Sequence, residues 1–167
     1  DWLRQTRACG RSAPAQRSSV ALTEGLHDTE RLLRVTLPPA IELHLHTAEP
    51  VPSILADPTQ VEQAVLNLCT NAIHAIGDNR GSVVIQAAPA SHDQRLCERL
   101  SLVQSKNYVA ISVQDNGPGI AEATLQRIFE PFFTTKLVGQ GTGLGLAVVH
   151  GVMRTHQGAV DVHSTLG

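Results

Sequence analysis

The chain runs to 167 residues, with 42% hydrophobic and 17% charged side chains, 13 glycines and only 3% aromatics. That size suits one domain with its own core, and the composition excludes a disordered chain and a single-strand nucleic-acid binder built on stacked aromatics. A net charge of −2 with pI near 6.5 leaves no basic footprint for nucleic acid and no polybasic arm for an anionic membrane. Cys9, Cys69 and Cys97 are odd in number and form no CxxC pair. They argue against a disulfide framework and a zinc site, and fit a reducing, cytoplasmic compartment. No apolar run approaches the roughly 20 residues of a membrane span. Met153 is the single methionine, so Asp1 reads as an internal position of a longer protein.

Residues 1–19 mix Arg, Gln, Ser and Ala without sustained periodicity, which predicts a frayed helix end running into a linker. From Val20 to Leu37, Val20, Leu22, Leu26, Leu32, Leu33 and Leu37 recur loosely at helical spacing until Pro38-Pro39 stops them. Ile41, Leu43 and Leu45 then alternate with Glu42, His44 and His46, the period of a strand with one buried face. His44 and His46 fall on its polar face, where solvated histidines are far commoner than metal ligands. Asp57-Pro58 starts a helix, with Asp57 as N-cap and Pro58 at the first helical position, running to about Ile76 and ending at Gly77. Its face toward a sheet is read from Val61, Val65, Leu68, Ala72 and Ile76. Strands are predicted at 82–88 and 108–114, separated by a long hairpin insertion with a helical piece near 94–102. A short helix at 121–128, a helix at about 144–156 and a strand at 159–163 complete the chain.

Three stretches are not explained by packing alone. In Asn67-Leu68-Cys69-Thr70-Asn71-Ala72 two asparagines sit four apart on a helix and share a face. Asparagine is a poor helix former and costly to bury unpaired, so the pair points to a polar cavity, with capping or solvent-facing roles as the alternative. Carboxamide oxygens suit Mg²⁺, which takes few protein ligands and leans on phosphates. His74 projects from the same side. Asp115-Asn116-Gly117-Pro118-Gly119-Ile120 follows a strand, where a carboxylate could accept from an exocyclic amine such as an adenine edge while the glycines admit the base. An ordinary Asp-Asn-Gly turn is the competing reading. Gly139-Gln140-Gly141-Thr142-Gly143-Leu144-Gly145-Leu146 opens an apolar helix, and backbone amides at such an N-terminus favour phosphate. The stretch lacks the Lys-Ser/Thr of a P-loop and the third glycine of a dinucleotide fingerprint. Ahead of it, Phe129-Glu130-Pro131-Phe132-Phe133-Thr134-Thr135-Lys136 carries all three phenylalanines and a lysine able to reach a phosphate.

In this order the stretches resemble the N, G1, F and G2 boxes of the GHKL ATP-binding superfamily, and within it the catalytic domain of two-component sensor histidine kinases. The resemblance covers about residues 20–167. It implies an α/β two-layer sandwich, a mixed sheet covered on one face by helices in the Bergerat fold, with a mobile ATP lid between Phe129 and Gly143. Residues 1–19 would then be the tail of a preceding helical hairpin. By position, Asn71 would hold Mg²⁺ with Asn67 supporting it or the phosphates, and Asp115 would take the adenine amine. Gly117, Gly119 and Ile120 would admit the base, and Gly141, Thr142, Gly143, Leu144, Gly145 and Leu146 would cradle phosphates with help from Lys136. His74 stands where many relatives carry a lysine, arginine or acidic residue.

ATPases of this superfamily carry a glutamate where this chain has Asn67, and an amide cannot take a proton from water. The resemblance therefore implies transfer of the γ-phosphoryl of ATP to a histidine on a dimerisation hairpin outside this sequence. It also implies a response-regulator receiver domain as partner, a homodimeric parent, and no nucleic-acid or membrane contact by this domain. A nucleotide-responsive interaction module without catalysis and a GHKL-type ATPase are the alternatives. His27-Asp28 matches only the first two positions of the family's acceptor segment and is read as an ordinary helix residue pair. His150, inside an apolar helix run, is read as a packing residue. Relatives continue past the position of Gly167 into a final strand, so a sheet one strand short with an exposed edge is also expected.

Overall fold

The computed structural model describes residues 16–90, 94–104, 106–135 and 142–167. In chain order the elements are β1 (Ser18–Val20), α1 (Leu22–Thr36), β2 (Ile41–Thr47), β3 (Ile54–Ala56), α2 (Pro58–Ile76), β4 (Gly81–Pro89), α3 (Gln94–Arg99), β5 (Val109–Asp115), α4 (Glu122–Leu125) and α5 (Gly145–Thr155). β2 runs parallel to β4, and β4 antiparallel to β5, giving a mixed sheet in the order β2-β4-β5. The parallel pair requires a crossover, and α2 supplies it. Register aligns Leu45 with Ile85 and Ile85 with Val113, so one face of the sheet is continuously apolar. Against that face pack Leu26 and Leu33 of α1 and Val65, Cys69, Ala72 and Ile76 of α2. The opposite face shows Glu42, His44, His46, Gln86, Ser112 and Gln114 to solvent. The two-layer α/β sandwich expected from the sequence is the fold observed. Ile85 is 0% exposed, and burying a side chain of that size stabilises the fold by about 2–3 kcal/mol.

The limits of α2 follow from local chemistry. Asp57 Oδ1 accepts from the backbone N–H groups of Thr59 and Gln60 at 3.1 and 3.3 Å, satisfying orphan donors of the first turn. Gly77 ends the helix at φ +64° and donates to Ile73 O.

Three features differ from the sequence expectation. The linker expected through residue 19 gives way at Ser18 to β1, and Val20 lies in that strand rather than in a helix. β1 pairs with β3 as a separate antiparallel ribbon whose Val20 and Ile54 pack with Leu22, Ala56 and Val61. Strands of three residues are too short to show a period, and this one exists only through its partner. The strand expected at 159–163 is absent. Val160, Val162 and Ser164 are half-buried and Asp161 and His163 exposed, so the alternation reports one covered face without a strand ladder among the described residues. Finally, Cys69 rather than Leu68 faces the sheet, and Leu68 turns toward α5.

Candidate functional site

α2 carries two stripes. Val65, Cys69, Ala72 and Ile76 line the sheet side, with Val61 ahead of them packed among Leu22, Ala56 and Ile111, whereas Ala64 and Leu68 pack against Val149 and Val152 of α5. Asn67 and Asn71 continue this second stripe, so the flank that begins as an apolar seam with α5 becomes polar where α5 starts. There the two helices meet. Asn67 Nδ2 donates to Gly145 O at 3.3 Å, and a Cβ added to Gly145 would lie 3.6 Å from Asn71 Nδ2 and 3.9 Å from Asn67. The structure thus brings together Asn67, Asn71 and Gly145. Both are half-buried.

Thr142 Oγ1 accepts from Leu144 N at 3.4 Å just ahead of the helix, and α5 has no side-chain N-cap. The first amides of α5, at Gly145 and Leu146, therefore lack intrahelical acceptors, the arrangement that favours an anion. Gly143 sits at φ +65°, and a Cβ there would meet Phe132 C at 2.4 Å. Phe132 N donates to Gly143 O at 2.9 Å, so the Phe-rich stretch and the cradle are tied through backbone at a position only glycine can occupy. Phe132 itself is 74% exposed, while Arg127 stacks over Phe133 at 4.4 Å from the ring centroid. Lys136, Gly139 and Gly141 lie outside the described residues.

Asp115 continues the inward row Val109, Ile111 and Val113 of β5, in register with buried Val83, but stands past the rim of the core and is exposed. Its Oδ1 accepts from Gly117 N at 2.8 Å, and Asn116 Oδ1 accepts from Ser82 N at 2.8 Å. Gly117 is pressed against the α2 backbone, 3.3 Å from Ala75 C to a notional Cβ. The flank of α2 that presents Asn67 and Asn71 therefore also seats this turn, one helical turn further on. His74, on the same helix, is exposed.

The sequence reading missed what roofs the turn. Gly119 has φ +75°, and a Cβ there would lie 2.0 Å from Thr165 O. Ile120 N donates to Ser164 Oγ at 2.8 Å, and Gly167 N donates to Pro118 O at 3.2 Å. Residues 164–167 thus hold the turn. No local pattern marks Ser164 or Thr165 for that role; the glycine at 119 was the available signal that another backbone comes close.

Asn67 commits its amide nitrogen to Gly145, which leaves Oδ1 as a lone-pair donor beside Asn71. Asn71 likewise turns its amide nitrogen toward Gly145, and the two carboxamides beside a helix N-terminus are of the chemical type that suits a divalent cation sharing its shell with phosphate. Among the described residues no three His, Cys, Asp or Glu side chains gather into a metal cluster. His44 contacts Glu42 at 3.3 Å on the open sheet face and stacks beside His46. His27 is exposed on α1, 3.5 Å from Glu30. His150 is exposed rather than packed within the core, and its ring lies 5.7 Å from that of Phe129. Cys69, between the asparagines in sequence, is fully buried, and burial pushes its thiol up to about 12, so it fills space and does not react. A cleft of 510 Å³ lies elsewhere, between Arg99 and the end of α5.

The family model for histidine kinase-, DNA gyrase B- and HSP90-like ATPases matches residues 56–167. The sensor histidine kinase ZraS of Salmonella typhi is 41% identical over 127 residues, which are 76% of this chain and 24% of ZraS. The nucleotide-free catalytic domain of histidine kinase ThkA superposes with TM-score 0.66 at 29% identity, over 84% of this chain and 82% of that one. Full-length ShkA, solved in complex with AMPPNP, superposes with TM-score 0.76 at 29% identity, over 99% of this chain and 32% of its own. The chain thus spans about a quarter of ZraS and about a third of ShkA.

Proposed function

This chain belongs to the histidine kinase-, DNA gyrase B- and HSP90-like ATPase family and is a catalytic, ATP-binding domain of the sensor histidine kinase type; on that premise we propose that it delivers the γ-phosphoryl of ATP to a histidine on a helical hairpin of the same protein. The observation that carries the proposal is the Asn67 contact: an amide, bonded to Gly145 O, stands against the phosphate cradle. An amide cannot deprotonate water, whereas a neutral imidazole brings its own lone pair to phosphorus and needs no base to do so. The N–P bond forms as the bond from phosphorus to the β,γ-bridging oxygen breaks and ADP leaves, and the imidazolium so formed loses the proton on its other ring nitrogen to solvent.

In this reading Asp115 accepts from the adenine amine, and Gly117, Gly119 and Ile120 form the floor that the base approaches. Thr142, Gly143, Leu144, Gly145 and Leu146 present backbone donors to phosphate oxygens, with Gly141, Lys136 and His74 as further phosphate contacts. Asn71 and Asn67 would hold Mg²⁺, which would supply charge neutralisation on the phosphates. The protein's own contribution is positioning and preorganised dipoles.

The folded unit runs from about residue 20, extended to Ser18 by the β1 ribbon, and the segment before it leads back to the hairpin. The partners are that hairpin and the receiver domain of a response regulator, the class of protein with which ThkA has been solved. No described helix is long and apolar enough to cross a membrane; we place the domain in the cytoplasm of a homodimeric parent, away from membrane and nucleic acid.

Calorimetric titration of AMPPNP with Mg²⁺ tests the pocket. Adenine-selective binding is expected, with a guanine analogue excluded, and Asp115→Asn is expected to lose about 2 kcal/mol, roughly thirtyfold in Kd. Asn71→Ala is expected to abolish the Mg²⁺ dependence. Equal affinity for the guanine analogue, or full affinity in Asp115→Asn, would contradict the assignment.

A further inference from the structure

α2 and α5 run antiparallel along the seam of Ala64 and Leu68 with Val149 and Val152. Polar contacts close the seam at both ends: Asn67 meets Gly145 at the site, and Asp57, the N-cap of α2, meets His156, just past the end of α5. The two contacts are about 16 Å apart along the helices at 1.5 Å per residue. The apolar seam aligns the two helices by packing, and directional hydrogen bonds at its two ends fix what axial freedom remains.

The His156 ring is half-buried, and its two nitrogens have different partners. Nδ1 lies 2.8 Å from Val152 O, which can only accept. Nε2 lies 2.9 Å from Asp57 N, which can only donate. One protonation state satisfies both: a neutral ring with its proton on Nδ1 and a bare Nε2. The other tautomer breaks both bonds, and the imidazolium breaks the one that crosses between helices.

We infer that His156, as the neutral Nδ1–H tautomer, is a positioning residue for the nucleotide site, pinning α5 to the α2 cap so that Gly145 stands at Asn67 and Asn71. The inference rests on the proposed nucleotide site, because the offset it fixes is the one that sets the asparagines against the cradle.

The test combines an imidazole signature with a split between affinity and stability. Two-bond ¹H–¹⁵N correlation on the labelled protein is expected to show His156 as the Nδ1–H tautomer. His156→Ala is expected to weaken AMPPNP·Mg²⁺ binding about tenfold and to shift the side-chain amide resonances of Asn67 without nucleotide present. His156→Gln, whose carboxamide oxygen can accept from Asp57, should recover most of the affinity. Leu33→Ala, on the core-facing side of α1, serves as a control for general destabilisation and should leave both readouts unchanged. Where His156→Ala fails to fold, the tautomer and the Gln variant decide. An Nε2–H ring, wild-type affinity in His156→Ala, or an equal loss in Leu33→Ala overturns the inference. Wild-type protein that binds no AMPPNP overturns the nucleotide reading itself, and this inference with it.

Discussion

The two walls of the site are held in different ways. Asn67 and Asn71 ride on a 19-residue helix whose other stripe is sunk in the main core, so their position is set by side-chain packing. The turn from Asp115 to Ile120 has no such anchor. It is held by close backbone approaches, Gly117 against Ala75 and Gly119 beneath Thr165, and by single hydrogen bonds from Ile120 N to Ser164 Oγ and from Ser82 N to Asn116 Oδ1. A packed helix spreads its placement over many contacts, whereas a backbone-held turn depends on a few that admit no side chain. Damage to the core should therefore lower stability more than affinity, and damage to the turn the reverse.

Ile85→Ala, at a fully buried position beneath α2, is expected to cost about 4 kcal/mol in urea unfolding, while the remaining folded protein keeps its AMPPNP affinity. Gly119→Val combines the left-handed backbone with a clash against Thr165 O. It should cost about 3 kcal/mol and remove nucleotide binding from whatever folds. If Ile85→Ala loses affinity as fully as Gly119→Val, the contrast between the walls fails. Asp57→Ala removes the cap bonds to Thr59 and Gln60 and should cost about 1 kcal/mol with a small effect on affinity.

The smallest expected effect sharpens the role of the segment that roofs the turn. Arg99 holds Asp161 bidentately at 2.8 and 2.7 Å, tying α3 to the residues that lead into Ser164 and Thr165. The hydrogen bond from Arg99, with help from His163, brings the Asp161 carboxyl down from 3.8 to about 2 against an opposing desolvation effect. A carboxyl lowered in the folded state contributes stability above its unfolded value and loses it as the pH falls through the folded one. Asp161→Asn should thus be slightly less stable than the parent at pH 7, by a margin kept small by solvent exposure. The gap should close between about pH 4 and pH 2. A gap that persists unchanged into acid would show that the pair does not tie the segment down.

Much of this was legible in the sequence, and the failures have a common cause. The alternation at Ile41 to Leu45 and the Asp57-Pro58 and Gly77 punctuation gave β2 and α2 within two residues at each end, because capping and pleat chemistry are local. The asparagine pair was legible because it violates helix propensity. The β1 and β3 ribbon was not, since three residues carry no period. The expected strand at 159–163 showed true alternation but no ladder, because a covered face does not by itself supply a pairing edge. Leu68 went to the wrong stripe because 68 and 69 both fit a three-and-four spacing, and only the presence of α5 separates them. Ser164, Thr165 and His156 act through partners about 45 to 100 positions away in sequence, beyond the reach of any local pattern.

The central claim is that Asn67 marks a site that transfers phosphate and does not hydrolyse ATP. Its most direct test follows the γ-phosphate of labelled ATP·Mg²⁺ with this domain alone and with the parent's helical hairpin supplied in trans. Acid-labile label on the hairpin histidine is expected, with none on His27, no steady phosphate release from the domain alone, and loss of transfer in Asp115→Ala. Steady phosphate release from the domain alone, abolished by Asp115→Ala, would contradict the claim and make this an ATPase site.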